Sequence, residues 1–246
     1  MTEERAGRRT LGTTWVCMPT YNEAENLRPM AEALFGLGLD LVLLVIDDSS
    51  PDGTAEIAKD LMERWPGRVH LIQRPGKLGL GTAYLTGFRY ALEHGAGQIV
   101  EMDADFSHSP AYLPRFLERI AAGCDVVIGS RWMPGGGVDK NWELWRKLLS
   151  QWANVYARLV TGLEVYDTTA GYKCFRREAL EAIDLTKIRS DGYAFQIEVT
   201  LACQRAGLKI CEVPIFFEER RRGRSKLSSR IILEALWRVW QIRLRR

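Results

Sequence analysis

Short apolar segments alternate with helix-forming segments over the first 130 residues, and this alternation restricts the fold more than any other feature. Strands are predicted at 14–18, 41–46, 69–72, 98–102 and 125–128, with helices at 22–35, 54–65, 82–94 and 112–122. The second half is less regular, with predicted helices at 142–160, 177–183 and 195–205 and strands at 172–175 and 209–217. Alternating strands and helices form parallel sheets covered by helices on both faces. The sequence therefore predicts an α/β fold with a mostly parallel sheet.

Polar side chains follow three of the predicted strands. They are Tyr21 and Glu23, Asp47 and Asp48, and Asp103 and Asp105. The carboxyl ends of parallel strands lie at one edge of a sheet, where such folds bind their ligands. Carboxylate oxygens are hard ligands that suit Mg²⁺ or Mn²⁺, so Asp103 and Asp105 are candidate metal ligands. No G-x-G-x-x-G follows the first strand, which argues against a dinucleotide-binding dehydrogenase.

Charge is unevenly distributed along the chain. The formal net charge is +3, but residues 218–246 carry +7 and the remainder carries −4. A basic tail on an acidic body indicates an anionic partner, either a membrane surface or a phosphorylated substrate, unless it serves only solubility. Because the body is acidic, we expect no nucleic-acid partner.

The five cysteines are odd in number and widely spaced, without a C-x-x-C motif. This pattern favours buried free thiols in a reducing compartment over a disulfide framework. Residues 1–12 are charged without an apolar segment after them, so we expect a disordered arm rather than a secretory signal. No apolar run reaches the length of a membrane span.

Several motifs occur in a characteristic order. They are MPTYNEAENL, VIDDSSPDGTAEIA, KLGLGTAYLTGF, MDADFSHSP, GSRWMPGGGVDKNW, TTAGYKCFRREAL, GYAFQIEV and FEERRRGRSKL. Together they resemble the dolichyl/polyprenyl-phosphate mannose synthases, which are inverting family 2 glycosyltransferases with the GT-A fold. The resemblance covers about residues 14–228. It implies transfer of mannose from GDP-mannose to a polyprenyl phosphate at the cytoplasmic face of the cell membrane.

The resemblance also implies a donor site at the strand ends. Its members would be Pro19, Tyr21, Glu23, Asp48, Asp103, Ala104, Asp105, Arg220 and Lys226. Asp48 matches the residue that binds the nucleotide base or ribose, although the sequence does not separate it from Asp47. Ser107 stands where the family has a glutamine that helps to hold the metal, so Ser107 is a third candidate ligand, directly or through water. His108 is either a residue that favours Mn²⁺ or a solvated loop residue.

The charge of the acceptor phosphate accounts for the arginines of the predicted site. A polyprenyl phosphate is largely dianionic at pH 7, because its second pKa is about 6. It is already a nucleophile and needs cations rather than a general base. By resemblance, Arg131, Arg146 and Ser150 contact the acceptor phosphate, and Asp105, Arg131 and Arg220 take part in catalysis.

The predicted site also includes a glycine-rich turn and two polar residues from the second half of the chain. The turn of Lys77, Gly79 and Gly81 either approaches the donor phosphates or only begins a helix. Asp191 and Gln196 are expected near the sugar, with Gln196 where relatives with hydroxyl acceptors often carry an acidic base.

A C-terminal helix is predicted at 229–246, following a glycosyltransferase domain at 13–228. Its wide apolar arc with Trp and Arg is typical of an in-plane membrane helix, and the alternative is packing on the domain or on a membrane-spanning partner protein. The helix at 142–160 carries Trp142, Trp145, Trp152 and Tyr156. These aromatic residues either help to seat the prenyl chain or belong to the core.

Two rival functions use the same residues. A polyprenyl-phosphate transferase that takes UDP-glucose would share the metal and acceptor chemistry. A non-catalytic subunit that binds nucleotide sugars is the other possibility, and the intact Asp103/Asp105 pair and arginine set argue against it.

Overall fold

The structure, a computed structural model, describes residues 11–218 and 229–244. Strands within these residues are β1 Thr14–Thr20, β2 Leu41–Asp47, β3 Val69–Gln73, β4 Gln98–Glu101, β5 Val126–Ser130, β6 Gly137–Val138, β7 Lys173–Arg176, β8 Ile210–Pro214 and β9 Phe216–Phe217. Helices are α1 Ala24–Phe35, α2 Thr54–Arg64, α3 Leu80–Glu93, α4 Leu113–Ala121, α5 Leu144–Thr161, α6 Arg177–Glu181, α7 Gly192–Arg205 and α8 Ser229–Leu244, with a 3-10 turn at Pro110–Tyr112.

Seven strands form one sheet in the order β3-β2-β1-β4-β7-β5-β8. The pairs β1–β2, β2–β3, β1–β4 and β5–β8 are parallel, which confirms the mostly parallel sheet. All seven residues of β2 are buried, as its unbroken apolar sequence predicts for a strand covered on both faces. Buried side chains form two core clusters, which include Cys17 and Phe88 in one and Val16 and Phe116 in the other. Trp15 and Val16 alternate between these clusters because successive side chains of a strand point to opposite faces.

Strand β7 departs from the parallel pattern, since it pairs antiparallel with both β4 and β5. Its first residue, Lys173, lies opposite Glu101 at the end of β4 and Ile128 near the end of β5. The chain therefore enters β7 from the carboxyl edge of the parallel strands. This places the preceding turn, residues 166–172, at the same edge as Asp103 and Arg131.

The predicted last strand, 209–217, is divided in the structure. Residues of β8 extend the main sheet beside β5, whereas β9 pairs with β6 in a separate two-stranded ribbon. Neither two-residue strand is long enough to show a periodic pattern in the sequence, and β6 was not predicted. The ribbon pairs the loop after Arg131 with the residues that follow β8.

The prediction that all five cysteines are free is wrong. Cys124 and Cys211 form a disulfide, whereas Cys17, Cys174 and Cys203 are free and buried. The bonded pair is 87 residues apart in sequence, but it lies on neighbouring strand ends of β5 and β8. Sequence spacing carries no information on that pairing. Burial raises the pKa of the Cys203 thiol to about 12, so this group stays protonated and unreactive.

Helix α8 packs on the domain through one face. Val239 and Ile242 are buried in the first core cluster, and the Tyr156 hydroxyl donates to the Leu236 carbonyl at 3.0 Å. No helix of the described residues is both long and apolar enough to cross a membrane. At the other end of the chain, Leu11 packs against the second core cluster, and the rest of the predicted N-terminal arm, except Gly12, lies outside the described residues.

Candidate active site

The end of β4 presents the two aspartates predicted to bind metal. Asp103 keeps 31% of its side chain exposed, whereas Asp105 and the intervening Ala104 are buried. The hydroxyl of Tyr84 on α3 donates to Asp103 Oδ1 at 3.3 Å. Burial, together with the charges of Asp103 and Glu101, raises the pKa of Tyr84, so this hydroxyl keeps its proton and remains a donor.

Ser107 and His108 support the aspartates from the following loop. Ser107 donates to Asp105 Oδ1 twice, from its backbone amide at 3.0 Å and from its hydroxyl at 2.6 Å. His108 is buried, stacks on Tyr172 at 5.0 Å and accepts from the Asp103 amide at 3.1 Å through Nδ1. The interpretation of His108 as a solvated loop residue is therefore wrong. Ser107 orients Asp105, and its coordination of a metal remains a prediction.

A buried ion pair lies directly below the aspartates. Lys173 on β7 donates to Glu101 at 2.8 Å and also contacts the side-chain oxygen of Gln196 on α7. All three side chains are buried. Burial raises the pKa of Glu101 to about 7, although Lys173 opposes this shift. Gln196, which was expected near the sugar, therefore belongs to a buried network under the site.

The two aspartates at the end of β2 have different surroundings. Asp47 is fully buried and accepts hydrogen bonds from the Thr20 hydroxyl at 2.9 Å and from Ser50 at 2.6 and 2.9 Å. Asp48 forms a buried bidentate ion pair with Arg74, at 2.5 and 2.7 Å. Both carboxylates are therefore engaged within the protein. Asp47 has no exposed surface, whereas 10% of the Asp48 side chain is exposed, so Asp48 is the better candidate for the nucleoside.

Side chains beside β1 form an exposed rim next to Asp48. Tyr21 is 40% exposed, and the Lys77 ammonium lies 4.5 Å from the centre of its ring. The Glu23 amide donates to the Thr54 hydroxyl at 3.0 Å, which joins this rim to the start of α2. Pro19 is the sixth residue of β1 and is only partly buried. Lys77 therefore covers one face of the Tyr21 ring, and the rest of the side chain is exposed near the strand ends.

The glycine-rich turn before α3 is already occupied by a side chain. Asp191, the residue before α7, accepts from the Gly81 amide at 2.7 Å. A Cβ at Gly79 would lie 2.5 Å from the Asp191 carboxylate, and Gly79 has a φ of +100°, so only glycine fits there. The Gly81 amide therefore binds Asp191 in this structure rather than presenting itself to a donor phosphate.

The three predicted acceptor contacts meet in one cavity of about 130 Å³. Arg131 comes from the end of β5, and Arg146 and Ser150 lie one turn apart on α5. Thr169 and Tyr193 complete the polar end of this cavity. Sequence reasoning did not identify either residue, because a threonine in a turn and a tyrosine at a helix start carry no distinctive signal.

Arg131 is held rigidly at the polar end of the cavity. Its Nε and Nη2 donate to Asp167 at 2.7 and 2.8 Å, and Nη2 also donates to the Thr169 hydroxyl at 2.9 Å. Burial alone would lower the pKa of Arg131, but Asp167, Tyr193 and Asp103 raise it, so the guanidinium stays charged. Asp103 is therefore close enough for its charge to act on Arg131.

The remainder of the cavity wall is apolar. It consists of Trp142, Leu149, Trp152, Ala153, Tyr156, Ile197, Leu236 and Val239, with the Arg146 guanidinium 4.8 Å from the Trp142 ring centre. The outer face of α5 is also apolar, with Leu144, Trp145, Leu148, Trp152, Val155 and Leu159 all at least half exposed. Trp145 and Trp152 are therefore not core residues. Trp237, Trp240 and Leu244 form a similar exposed row on α8.

Arg220 and Lys226, predicted to contact the donor, lie outside the described residues. Within the part of the chain that is described, no three His, Cys, Asp or Glu side chains converge as a metal site. The structure thus brings together Asp103, Asp105, Arg131, Arg146 and Ser150 around one edge of the sheet.

The fold is that of a GT-A glycosyltransferase. Residues 15–184 match the family described as "Glycosyl transferase family 2", and the chain belongs to this family. Among solved structures, glucosyl-3-phosphoglycerate synthase from Mycobacterium tuberculosis, in complex with phosphoglyceric acid, is similar in fold with a TM-score of 0.67. It is 19% identical, and the match covers 96% of this chain and 81% of that one.

Two curated relatives are considerably more similar in sequence. The polyprenol monophosphomannose synthase of Mycolicibacterium smegmatis is 46% identical over 243 residues, which is 98% of this chain and 91% of that protein. The undecaprenyl-phosphate mannosyltransferase of Micrococcus luteus is 46% identical over 222 residues, or 90% of each chain.

Proposed function

We propose that this enzyme transfers mannose from GDP-mannose to a polyprenyl monophosphate, with inversion at the sugar. One observation carries the proposal: Arg131, Arg146 and Ser150 line the same cavity as the eight apolar or aromatic wall residues from Trp142 to Val239. That arrangement suits an amphiphile with a phosphate head and a hydrocarbon tail. The names of the two relatives that share 46% of their residues with this chain support the same acceptor class and mannose as the sugar.

The acceptor phosphate is the nucleophile in this proposal. It arrives largely ionised at pH 7, so its oxygen attacks the anomeric carbon while the bond to the nucleoside diphosphate breaks. Two unit charges about 4 Å apart near a protein surface repel by roughly 4 kcal/mol. Arg131 and Arg146 offset this repulsion between acceptor and donor phosphates. In the buried network below, Gln196 is a neutral amide, which agrees with a reaction that needs no general base at that position.

Asp103 and Asp105 are suited to hold a divalent cation, Mg²⁺ or Mn²⁺. Both are hard oxygen donors, Asp103 is partly exposed, and Ser107 orients Asp105. When bound, the cation stabilises the charge that develops on the leaving diphosphate. Glucosyl-3-phosphoglycerate synthase has a similar fold and is 20% identical to this chain. Its structure has been solved with Mn²⁺ and uridine-diphosphate-glucose.

Donor recognition is assigned to the other strand ends. Asp48 would bind the base or ribose, Tyr21 would cover the base, and Pro19 and Glu23 would line the nucleoside. Arg220 and Lys226 are proposed to close over the donor and acceptor, on the resemblance alone. Asp105, Arg131 and Arg220 are the proposed catalytic residues.

The cytoplasmic membrane surface is the proposed location. The apolar outer face of α5 and the row on α8 include Trp145, Trp152, Trp237 and Trp240, and aromatic side chains are enriched at membrane interfaces. Residues of both helices also line the acceptor cavity. A membrane-spanning partner protein that covers the same face is the alternative occupant.

One assay tests the proposal. Labelled GDP-mannose or UDP-glucose is incubated with the purified chain and a polyprenyl phosphate in detergent, with and without a chelator, and the lipid fraction is counted. We expect label in lipid from GDP-mannose only, abolished by the chelator. Transfer from UDP-glucose instead would assign a different donor, and no transfer from either would overturn the proposal.

A further inference from the structure

Asn154 is a buried polar residue to which neither the metal nor the donor chemistry assigns a task. It lies on α5, four residues after Ser150, and only 3% of it is exposed. A buried amide has two donors and an acceptor to satisfy, so its partners show what it holds in place.

The partners of Asn154 join two separate elements of the acceptor site. Its Oδ1 accepts from the amide and the hydroxyl of Thr168, at 2.7 and 2.9 Å. Its Nδ2 donates to the Ser150 carbonyl at 2.9 Å and to the Thr169 hydroxyl at 3.4 Å. One side chain therefore connects the α5 turn that carries Ser150 to the 167–169 turn.

That turn is the support of Arg131. Asp167 and Thr169, on either side of Thr168, both accept hydrogen bonds from the Arg131 guanidinium. On its other side, the turn is held by Glu212 of β8, which accepts from the amides of Tyr166 and Asp167 at 2.7 and 3.0 Å. Asn154 is thus the connection between α5, with Arg146 and Ser150, and the turn that holds Arg131.

We propose that Asn154 is a positioning residue that sets the spacing between Arg131 and the Arg146/Ser150 turn, and thereby determines how well the acceptor phosphate binds. The inference rests on the proposed function, because it takes this cavity as the phosphate site. A phosphate that is shared between two cationic side chains requires those side chains at a fixed separation. Asn154 acts through its hydrogen bonds to Thr168, to Thr169 and to the α5 backbone.

The test measures kinetics and binding on the full chain with Asn154→Ala. The acceptor is a short-chain polyprenyl monophosphate in detergent, and the donor is labelled GDP-mannose. We expect the acceptor KM to rise about tenfold, which corresponds to about 1.4 kcal/mol, while the donor KM stays within about twofold. Trp142 and Trp152 line the cavity, so tryptophan fluorescence reports Kd for the same lipid without turnover.

A matched control separates positioning from general stability. Gln204 on α7 also uses both ends of a side-chain amide to hold the segment after α5, donating to Gly162 and accepting from Glu164, each at 2.9 Å. Gln204→Ala should lower the thermal midpoint without changing the acceptor KM. If Asn154→Ala changes both KM values equally, or neither, the positioning role is overturned.

A second pair of variants covers the case in which Asn154→Ala does not fold. Thr168→Val removes one of the two bonds to Asn154 Oδ1, and Thr168→Ser keeps it. We expect the acceptor Kd to rise about threefold for valine and to recover for serine; equal values for both variants would count against the proposal.

Failure of the proposed function gives a different result. If the wild-type chain binds the lipid phosphate but transfers no mannose, the proposed function is wrong and the Asn154 inference is still decided by the lipid Kd. If Arg146→Ala leaves lipid binding unchanged while the wild-type chain still transfers mannose, the proposed function holds, but the cavity is not the phosphate-binding site and the Asn154 inference fails. If the wild-type chain does not bind the lipid at all, both proposals fail.

Discussion

The two ends of the proposed site are built in different ways. The carboxylate end consists of short segments that follow strands β1, β2 and β4. Asp103, Asp105 and Ser107 lie within five residues of chain, and Ser107 donates to Asp105. The cationic end joins β5, α5, the 167–169 turn and the start of α7, so Arg131 meets partners 36 and 38 residues away. The loop that carries Asp103, Asp105 and Ser107 is local in sequence, although Tyr84 supports Asp103 from α3. The cationic end has no such local unit and is assembled from elements that are distant in the chain.

This difference predicts that substitutions at the two ends change different kinetic parameters. The carboxylate end should govern the chemical step, because its charge is needed as the leaving group departs. The cationic end should govern acceptor binding. Single substitutions at each end test whether kcat and acceptor binding are affected separately.

The largest effect is expected for Asp105→Ala. Losing a carboxylate that holds the cation should reduce kcat by about 1,000-fold, which is the upper range for removing one group that stabilises transition-state charge. Initial rates of mannosyl transfer measure it, with Asp60→Asn on the surface as the control. Unchanged turnover in Asp105→Ala would remove this aspartate from the mechanism.

Asp167→Asn should mainly reduce stability. This substitution leaves the buried Arg131 without its counter-charge, and breaking a buried ion pair costs about 3 kcal/mol. Urea denaturation measures the change in the free energy of unfolding. The exposed Arg28–Asp60 pair provides the comparison, since Asp60→Asn should cost less than about 1 kcal/mol. Equal losses would show that Arg131 is less dependent on Asp167 than its contacts indicate.

Arg146→Ala should raise the KM for the polyprenyl phosphate about 30-fold, the equivalent of about 2 kcal/mol for a lost charged hydrogen bond. The donor KM should not change. Arg158→Ala is the matched control on the same helix, because Arg158 is exposed and lies 5.7 Å from the Tyr166 ring centre. A large fall in kcat with an unchanged acceptor KM would assign Arg146 to the chemical step and break the comparison.

The smallest effect concerns a cluster that belongs to neither end. His70 contacts Trp15, Tyr90 and His94, with its Nδ1 3.1 Å from the Tyr90 hydroxyl. Burial lowers the pKa of His70 from 6.5, and the charge of His94 lowers it further. Below pH 6.5 the unfolded state therefore binds more protons than the folded state, so stability falls as pH decreases.

His70→Gln should remove part of this pH dependence. Urea denaturation of both proteins at pH 7.5 and 5.5 measures it, and the difference between them cancels the other titrating groups. We expect the wild-type chain to lose more stability between the two pH values than His70→Gln does. Transfer kinetics at pH 7.5 should be the same in both proteins, because the cluster lies away from the strand ends.

Much of the carboxylate end was predictable because strand, turn and charged residue are adjacent in the chain. The mostly parallel sheet and the placement of Asp48, Asp103 and Asp105 at strand ends are confirmed. At the cationic end, Arg131, Arg146 and Ser150 could be proposed only from the family resemblance. Their supports, Asp167 and Asn154, gave no sequence signal, because an aspartate or asparagine has many local uses in turns and helices.

The amino-acid sequence by itself determined the alternation of strands and helices, since apolar periodicity and glycine turns act over a few residues. It also determined that carboxylates would end the strands. Only the tertiary structure decided that β7 runs antiparallel, that Cys124 meets Cys211, and that His108 is buried against Tyr172. These outcomes depend on contacts between residues that are distant in sequence, and such contacts form only when separate elements pack.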